Sequence, residues 1–124
     1  MTRRTAIVVD DHAHMRAHLI ERLQPLDFEI HEAEHGMHAL RVLGDTLVDL
    51  VLTDLVMPEM DGMELCEEIR RRPDLRRLPI VVASTHRDAR YVMEALRKGA
   101  DDFVSKPVSQ NQLEKVIRRV MSHV

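Results

Sequence analysis

Three acids and one lysine stand at the ends of apolar runs. Asp10 and Asp11 follow Ile7-Val8-Val9, Asp54 follows Leu50-Val51-Leu52-Thr53, and Lys106 follows Phe103-Val104-Ser105. Ser84 closes a further run that begins at Pro79. Three carboxylates brought to one place repel one another and titrate upward unless a cation sits among them. An all-oxygen donor set favours a hard metal, and Mg2+ is held by one or two carboxylates together with waters and phosphate oxygens. A lysine added to such a set suits phosphoryl chemistry, because metal and ammonium neutralise charge as a phosphoryl group moves to a carboxylate, here Asp54. Ser84 would offer its hydroxyl to a phosphoryl oxygen.

For these groups to meet, the elements bearing them must be neighbours. Residues 5–10 read as a first strand, leading into a helix with Met15, Leu19 and Leu23 at i, i+4 and i+8 that ends at Pro25. Residues 28–33 alternate as a second strand, followed by a short helix with Ala39, Leu40 and Leu43 that Gly44 is expected to stop. The third strand, 49–54, runs into Met57-Pro58, and Asp61-Gly62 opens a helix with Leu65, Cys66 and Ile69 on one face, closed by Pro73. The fourth strand is 79–84. Asp88 is placed to cap a helix carrying Val92, Ala95 and Leu96, which ends at Gly99. A fifth strand, 102–105, precedes Lys106-Pro107, and the last helix has Ser109 and Gln112 at capping-box spacing before Leu113, Val116, Ile117 and Val120.

Strands alternating with helices predict an α/β domain, a parallel sheet covered on both faces. The first, third and fourth strands are unbroken aliphatic runs, as expected of strands covered on both sides, so the alternating second and short fifth fall at the edges. The simplest right-handed winding is then order 2-1-3-4-5, a doubly wound five-stranded flavodoxin-like sheet. Its direction reverses between strands one and three, the crevice where such sheets bind ligands, and this sets Asp10, Asp11 and Asp54 side by side.

The chain has 124 residues, enough for one domain with its own core, expected to span 1–124. A net charge of −3 gives no global attraction for nucleic acid or an anionic membrane. The single cysteine, Cys66, precludes an intramolecular disulfide and reads as a buried thiol in a reducing compartment. The first residues, Met1-Thr2-Arg3-Arg4, enter the first strand without an apolar leader, and no apolar run reaches the length of a membrane span, so a cytoplasmic location is expected. The last helix runs to His123-Val124 without a polar linker, which favours a stand-alone protein over a fragment.

Asp10-Asp11, Asp54 with Met57-Pro58 and Met60-Asp61-Gly62, the strand from Pro79 to Ser84, Gly99-Ala100-Asp101-Asp102 and Lys106-Pro107 together resemble the receiver domains of two-component response regulators. Each motif alone is weak, but the joint spacing is specific. The resemblance implies that Asp54 accepts a phosphoryl group from a histidine kinase or histidine phosphotransfer protein. It implies further that Asp10, Asp11, Asp54 and the main-chain carbonyl of Val56 hold Mg2+, that Lys106 pairs with the acidic site, and that its bond to Pro107 is cis. The domain would act as a phosphoacceptor signalling module rather than an enzyme, assisting only its own phosphotransfer and dephosphorylation. Switching would draw Ser84 toward the phosphoryl group and turn Phe103 inward, presenting helix 4, strand 5 and helix 5 to an output protein. Phe103 replaces the common tyrosine and Ser84 the commoner threonine. Thr85 stands where a smaller residue is usual, so Thr85, Val56 and His86 are expected to tune phosphoryl lifetime by limiting water access.

Blander readings stand beside these. Asp11 suits the positive end of the first helix. His14 and His18, at i, i+4, have a chelating spacing but no further ligands, and read as surface histidines or contacts for the phosphodonor. Arg70, Arg71, Arg72, Arg76 and Arg77 read as helix C-terminal charge and a solvated loop. Arg90, Arg97, Lys98, Lys115, Arg118 and Arg119 suggest an output partner with an acidic surface. Nucleic acid gains no support from two Phe, one Tyr and no Trp. The main alternative function is a phosphorylation-independent adaptor on the same scaffold. A metal-dependent phosphohydrolase would ordinarily want a second acid after the nucleophile, where Val56 stands.

Overall fold

A computed structural model describes residues 3–86 and 88–122. Met1, Thr2, His123 and Val124, on which the reading of the chain ends rests, lie outside the described residues. The elements run β1 (Thr5–Val9), α1 (Ala13–Leu23), β2 (Glu29–Ala33), α2 (Gly36–Asp45), β3 (Leu50–Asp54), α3 (Gly62–Arg71), β4 (Ile80–Ser84), α4 (Ala89–Arg97), β5 (Asp102–Ser105) and α5 (Gln110–Met121). Short 3-10 turns at Gln24–Leu26 and Pro73–Leu75 follow α1 and α3, each with a proline in its first positions. All five strands are parallel, in order β2-β1-β3-β4-β5, as the strand patterns predict.

The two faces of the sheet bury alternate residues of each strand, the consequence of a two-residue side-chain period. Ile7, Val9, Val51, Ile80 and Val82 point to one side, where α2, α3 and α4 bring Leu40, Leu65, Ile69 and Ala95. Ala6, Val8, Leu50, Leu52, Val81 and Val104 point to the other, against Leu19 and Leu23 of α1 and Leu113, Val116 and Ile117 of α5. Every residue of β3 and β4 is buried, while β2 and β5 carry exposed or half-buried positions. Cys66 is fully buried, and burial pushes its thiol up to about 12. Among the described residues no helix is long and apolar enough to cross a membrane.

Three local expectations need correction. Gly44 does not stop α2, which runs on to Asp45 and ends where Thr46 turns extended; a Cβ at Gly44 would meet nothing, so its helical conformation costs only its intrinsic propensity. Leu96 does not join the core but stays 40% exposed, leaving Ala95 as the fully buried residue of α4. At the end of α5 the buried residue is Met121 rather than Val120.

Register places the site. Val9 pairs with Thr53, Asp54 with Ala83, and Ser84 with Ser105. Asp10, Asp54, Ser84 and Lys106 therefore leave the same edge of the sheet on adjoining strands.

Candidate functional site

Asp10 sits just past β1, fully buried, with its N–H still bonded to the Ala33 carbonyl at 3.1 Å. Its Oδ1 accepts from the His12 N–H at 2.9 Å and its Oδ2 from Lys106 Nζ at 2.7 Å. Asp54, the last residue of β3, is 7% exposed; its Oδ1 accepts from the Leu55 N–H at 2.9 Å and from Lys106 Nζ at 3.0 Å. Among the described residues, none donates to Asp54 Oδ2. Lys106, only 5% exposed, thus ties two carboxylates that lie 96 and 52 residues away in the chain. Burial is the largest influence on Asp54 and pushes its carboxyl above the usual range; the Lys106 ammonium and its hydrogen bond pull the other way, and the charge of Asp10 adds a smaller upward push. The upward shift expected from crowded acids is therefore present at Asp54, but desolvation rather than acid–acid repulsion leads it.

Asp11 is half-buried, and its Oδ1 is buried without a hydrogen-bond partner among the described residues. It does not cap α1: the N-cap is His12, and the first turn holds no acid. One atom each from Asp10, Asp11, His12 and Asp54 gather within 4.8 Å of one another, a set that can hold a metal ion. Orphaned carboxylate oxygen amid converging acids fits a hard divalent cation. His12 was not singled out in the sequence, where it looks like any loop histidine; its position directly after Asp10-Asp11 was the available signal.

Asp54 opens into a cleft of about 400 Å³ lined also by His12, His14, Met15, Val56, Ser84, Thr85, His86 and Lys106. Val56 is 54% exposed at its rim, and Thr85 and His86 are also exposed. Ser84 is buried, its Oγ accepting from the His86 N–H at 3.1 Å. Phe103 is half-buried on the opposite side of β5 from Val104, packed against the α2–α3–α4 core. Gly62 is needed beside the site, since a Cβ there would lie 2.3 Å from the Asp54 carbonyl oxygen.

The Lys106-Pro107 bond is cis. The segment after it is gripped by α1: the Val108 N–H donates to His18 Nε2 at 3.0 Å, Arg22 Nε donates to the Val108 carbonyl at 3.0 Å, and Gln110 Nε2 donates to the Arg22 carbonyl at 2.9 Å. His18 is therefore half-buried and structural, not a solvated surface residue; His14 is exposed at the cleft. Arg70 is likewise no solvated charge. It donates to the carbonyls of Gly99, Leu75, Arg76 and Leu78 and pairs with Asp101 at 3.0 Å. On α4 and α5, Lys98 pairs with Glu67 at 3.2 Å and Arg119 with Asp102, so the basic face is partly neutralised. Lys115 and Arg118 remain exposed.

A family model described as "Response regulator receiver domain" matches residues 6–118. The chain is 33% identical over 119 residues to the "Histidine kinase P4" of Formosa agariphila, covering 96% of this chain and 9% of that protein. It is 35% identical over 120 residues to the "Probable transcriptional regulator ycf27" of Guillardia theta, covering 97% of this chain and 46% of that protein. The chain thus spans less than half the length of either curated relative. The receiver domain of a signal transduction histidine kinase from Syntrophus aciditrophicus superposes with a TM-score of 0.87 at 34% identity, covering 98% of this chain and 92% of that one. With the sheet order, the acids at its reversal and a family match over nearly the whole chain in agreement, the chain belongs to the response regulator receiver domains of two-component signalling.

Proposed function

We propose that residues 1–124 form a receiver domain that takes a phosphoryl group from the phosphohistidine of a histidine kinase or phosphotransfer protein onto Asp54. The observation that carries this reading is the bridge from Lys106 Nζ to both Asp10 and Asp54 at the mouth of a solvent-open cleft. Of the two carboxylates that Lys106 holds, Asp54 is the one whose second oxygen, Oδ2, accepts no hydrogen bond among the described residues. In the transfer, Oδ2 bonds to phosphorus as the N–P bond breaks and its electron pair stays with the leaving imidazole. Asp10, Asp11, Asp54 and the Val56 carbonyl would hold Mg2+, which when bound supplies positive charge to the phosphoryl oxygens. Lys106 balances the acids before transfer and faces the new phosphoryl charge after it. Ser84 donates its hydroxyl to a phosphoryl oxygen, and Phe103, already half-buried, follows it inward. Thr85, His86 and Val56 guard the entrance. The altered surface lies on α4, β5 and α5, and an output protein reads it there. The protein works in the cytoplasm and is not an enzyme acting on free substrates.

Incubation with acetyl phosphate and Mg2+, followed by mass spectrometry of the intact chain, tests this reading. A single phosphoryl adduct that Asp54→Asn abolishes supports the phosphoacceptor. No adduct at all leaves the scaffold as an adaptor, and rapid consumption of acetyl phosphate by catalytic protein marks a hydrolase.

A further inference from the structure

His12 occupies the N-cap of α1, a position whose side chain ordinarily accepts from a helix N–H. Here the side chain makes no capping bond. The backbone N–H of His12 donates to Asp10 Oδ1 at 2.9 Å, and the imidazole lies beside the two acids. His12 Nδ1 lies 3.3 Å from Asp11 Oδ1 and 3.5 Å from Asp10 Oδ1, while the ring is 62% exposed and free to adjust. Bonds of about 2.1 Å in an octahedron put adjacent ligand atoms about 3 Å apart and opposite ones about 4.2 Å apart. The His12 Nδ1 separations of 3.3 and 3.5 Å are close to the adjacent spacing, and all four candidate atoms lie within 4.8 Å of one another, a little beyond the opposite one. Asp11 Oδ1 is buried and has no hydrogen-bond partner among the described residues, so it has a lone pair to offer a cation.

Resting on the metal site of the proposed function, we propose that His12 Nδ1 is a further protein ligand and gives this centre a preference for a divalent transition metal, Mn2+ or its later neighbours, over Mg2+. The chemistry follows from the donor set. Mg2+ takes oxygen and gains little from imidazole, whereas Mn2+ accepts carboxylate and imidazole together and the later metals favour the nitrogen increasingly. A bare imidazolium–carboxylate pair between His12 and Asp11 is the competing account of the same distances, and it predicts no nitrogen on the metal.

Pulsed electron paramagnetic resonance of the Mn2+-loaded protein reads this directly, together with calorimetric titrations of Mn2+ and Mg2+ against the full chain. The expected result is coupling from a directly bound 14N that disappears in His12→Ala, with Mn2+ affinity falling at least about tenfold more than Mg2+ affinity. His14→Ala serves as a control, since its ring meets that of His12 edge-on at 6.5 Å, and it should leave the coupling in place. Absence of 14N coupling in the unaltered protein, its survival in His12→Ala, or an unchanged ratio of the two affinities overturns the assignment. If both metals bind and Asp11→Ala weakens both without any nitrogen signal, only the role of His12 falls. If neither metal binds, the metal-site reading falls with it.

Discussion

Lys106 Nζ stands 3.0 Å from Asp54 Oδ1, and that one contact joins the end of β5 to the end of β3 across the intervening β4. The same ammonium holds Asp10 at 2.7 Å, so a single positive charge serves two buried carboxylates. A centre with more acid than base, open on one side to a cleft, can hold a further cation.

Lys106→Met should therefore lower stability by about 2–3 kcal/mol in the absence of metal. Removing one partner of an enclosed ion pair costs about 3–5 kcal/mol, and the cleft lets water reach Asp54 and lessen that. Added Mg2+ should narrow the gap between variant and parent, because the ion replaces the lost charge. Urea unfolding with and without Mg2+ measures both, and a gap that Mg2+ leaves unchanged contradicts the picture.

Asp54→Asn should do the opposite. Burial raises the Asp54 carboxyl above its ordinary value of 3.8, so the folded chain holds that proton more tightly than the unfolded one. Its contribution is fully present below pH 3.8 and is lost as pH rises through the folded value, leaving a cost at neutral pH. Without metal, the Asn variant is expected to be the more stable at pH 7, with its advantage shrinking as the acid is titrated. Chelator-treated samples unfolded across a pH series show this, and a variant less stable than the parent at pH 7 refutes it.

The sheet order and the clustered acids were legible because each rests on a local pattern: unbroken aliphatic runs mark β1, β3 and β4, and the acids stand at the ends of the first two of these. What the sequence hid were long polar side chains whose partners lie far along the chain. The i, i+4 spacing of His14 and His18 reveals a helix face but not that residue 108 lies against it. Arg70 hid in the same way among its arginine neighbours, since nothing local shows that carbonyls of Gly99 and Leu78 converge on one guanidinium. Gly44 misled for the converse reason: a glycine marks a helix end only if the chain turns there, and here α2 continues through it.

Arg70→Met should accordingly destabilise the fold by about 2–4 kcal/mol, far more than a surface arginine, because it strands carbonyls at two chain segments and an acid that also holds the Ile80 N–H at 2.8 Å. Arg70→Lys should recover little of this, for an ammonium cannot reproduce a fork that serves five acceptors at once. Denaturant midpoints for the two variants decide it; a lysine variant close to the parent would mean that charge alone matters.

Thr85 follows Ser84 at the end of β4 and stands exposed on the wall of the cleft into which Asp54 opens. Hydrolysis of an acyl phosphate on Asp54 needs a water approaching through that cleft, and the bulk along the route raises the barrier by excluding near-attack positions. Thr85→Ala removes a β-branched side chain without touching the hydrogen bonds of Ser84 or Lys106. Dephosphorylation should then quicken roughly threefold, equivalent to about 0.7 kcal/mol in the barrier, and phosphorylation by a small donor should quicken with it. A bulkier residue, as in Thr85→Leu, should slow both. Rates measured after rapid removal of acetyl phosphate provide the check. If the alanine and leucine variants both decay like the parent, the wall at residue 85 plays no part in phosphoryl lifetime, and the exposed neighbours His86 and Val56 become the groups to vary.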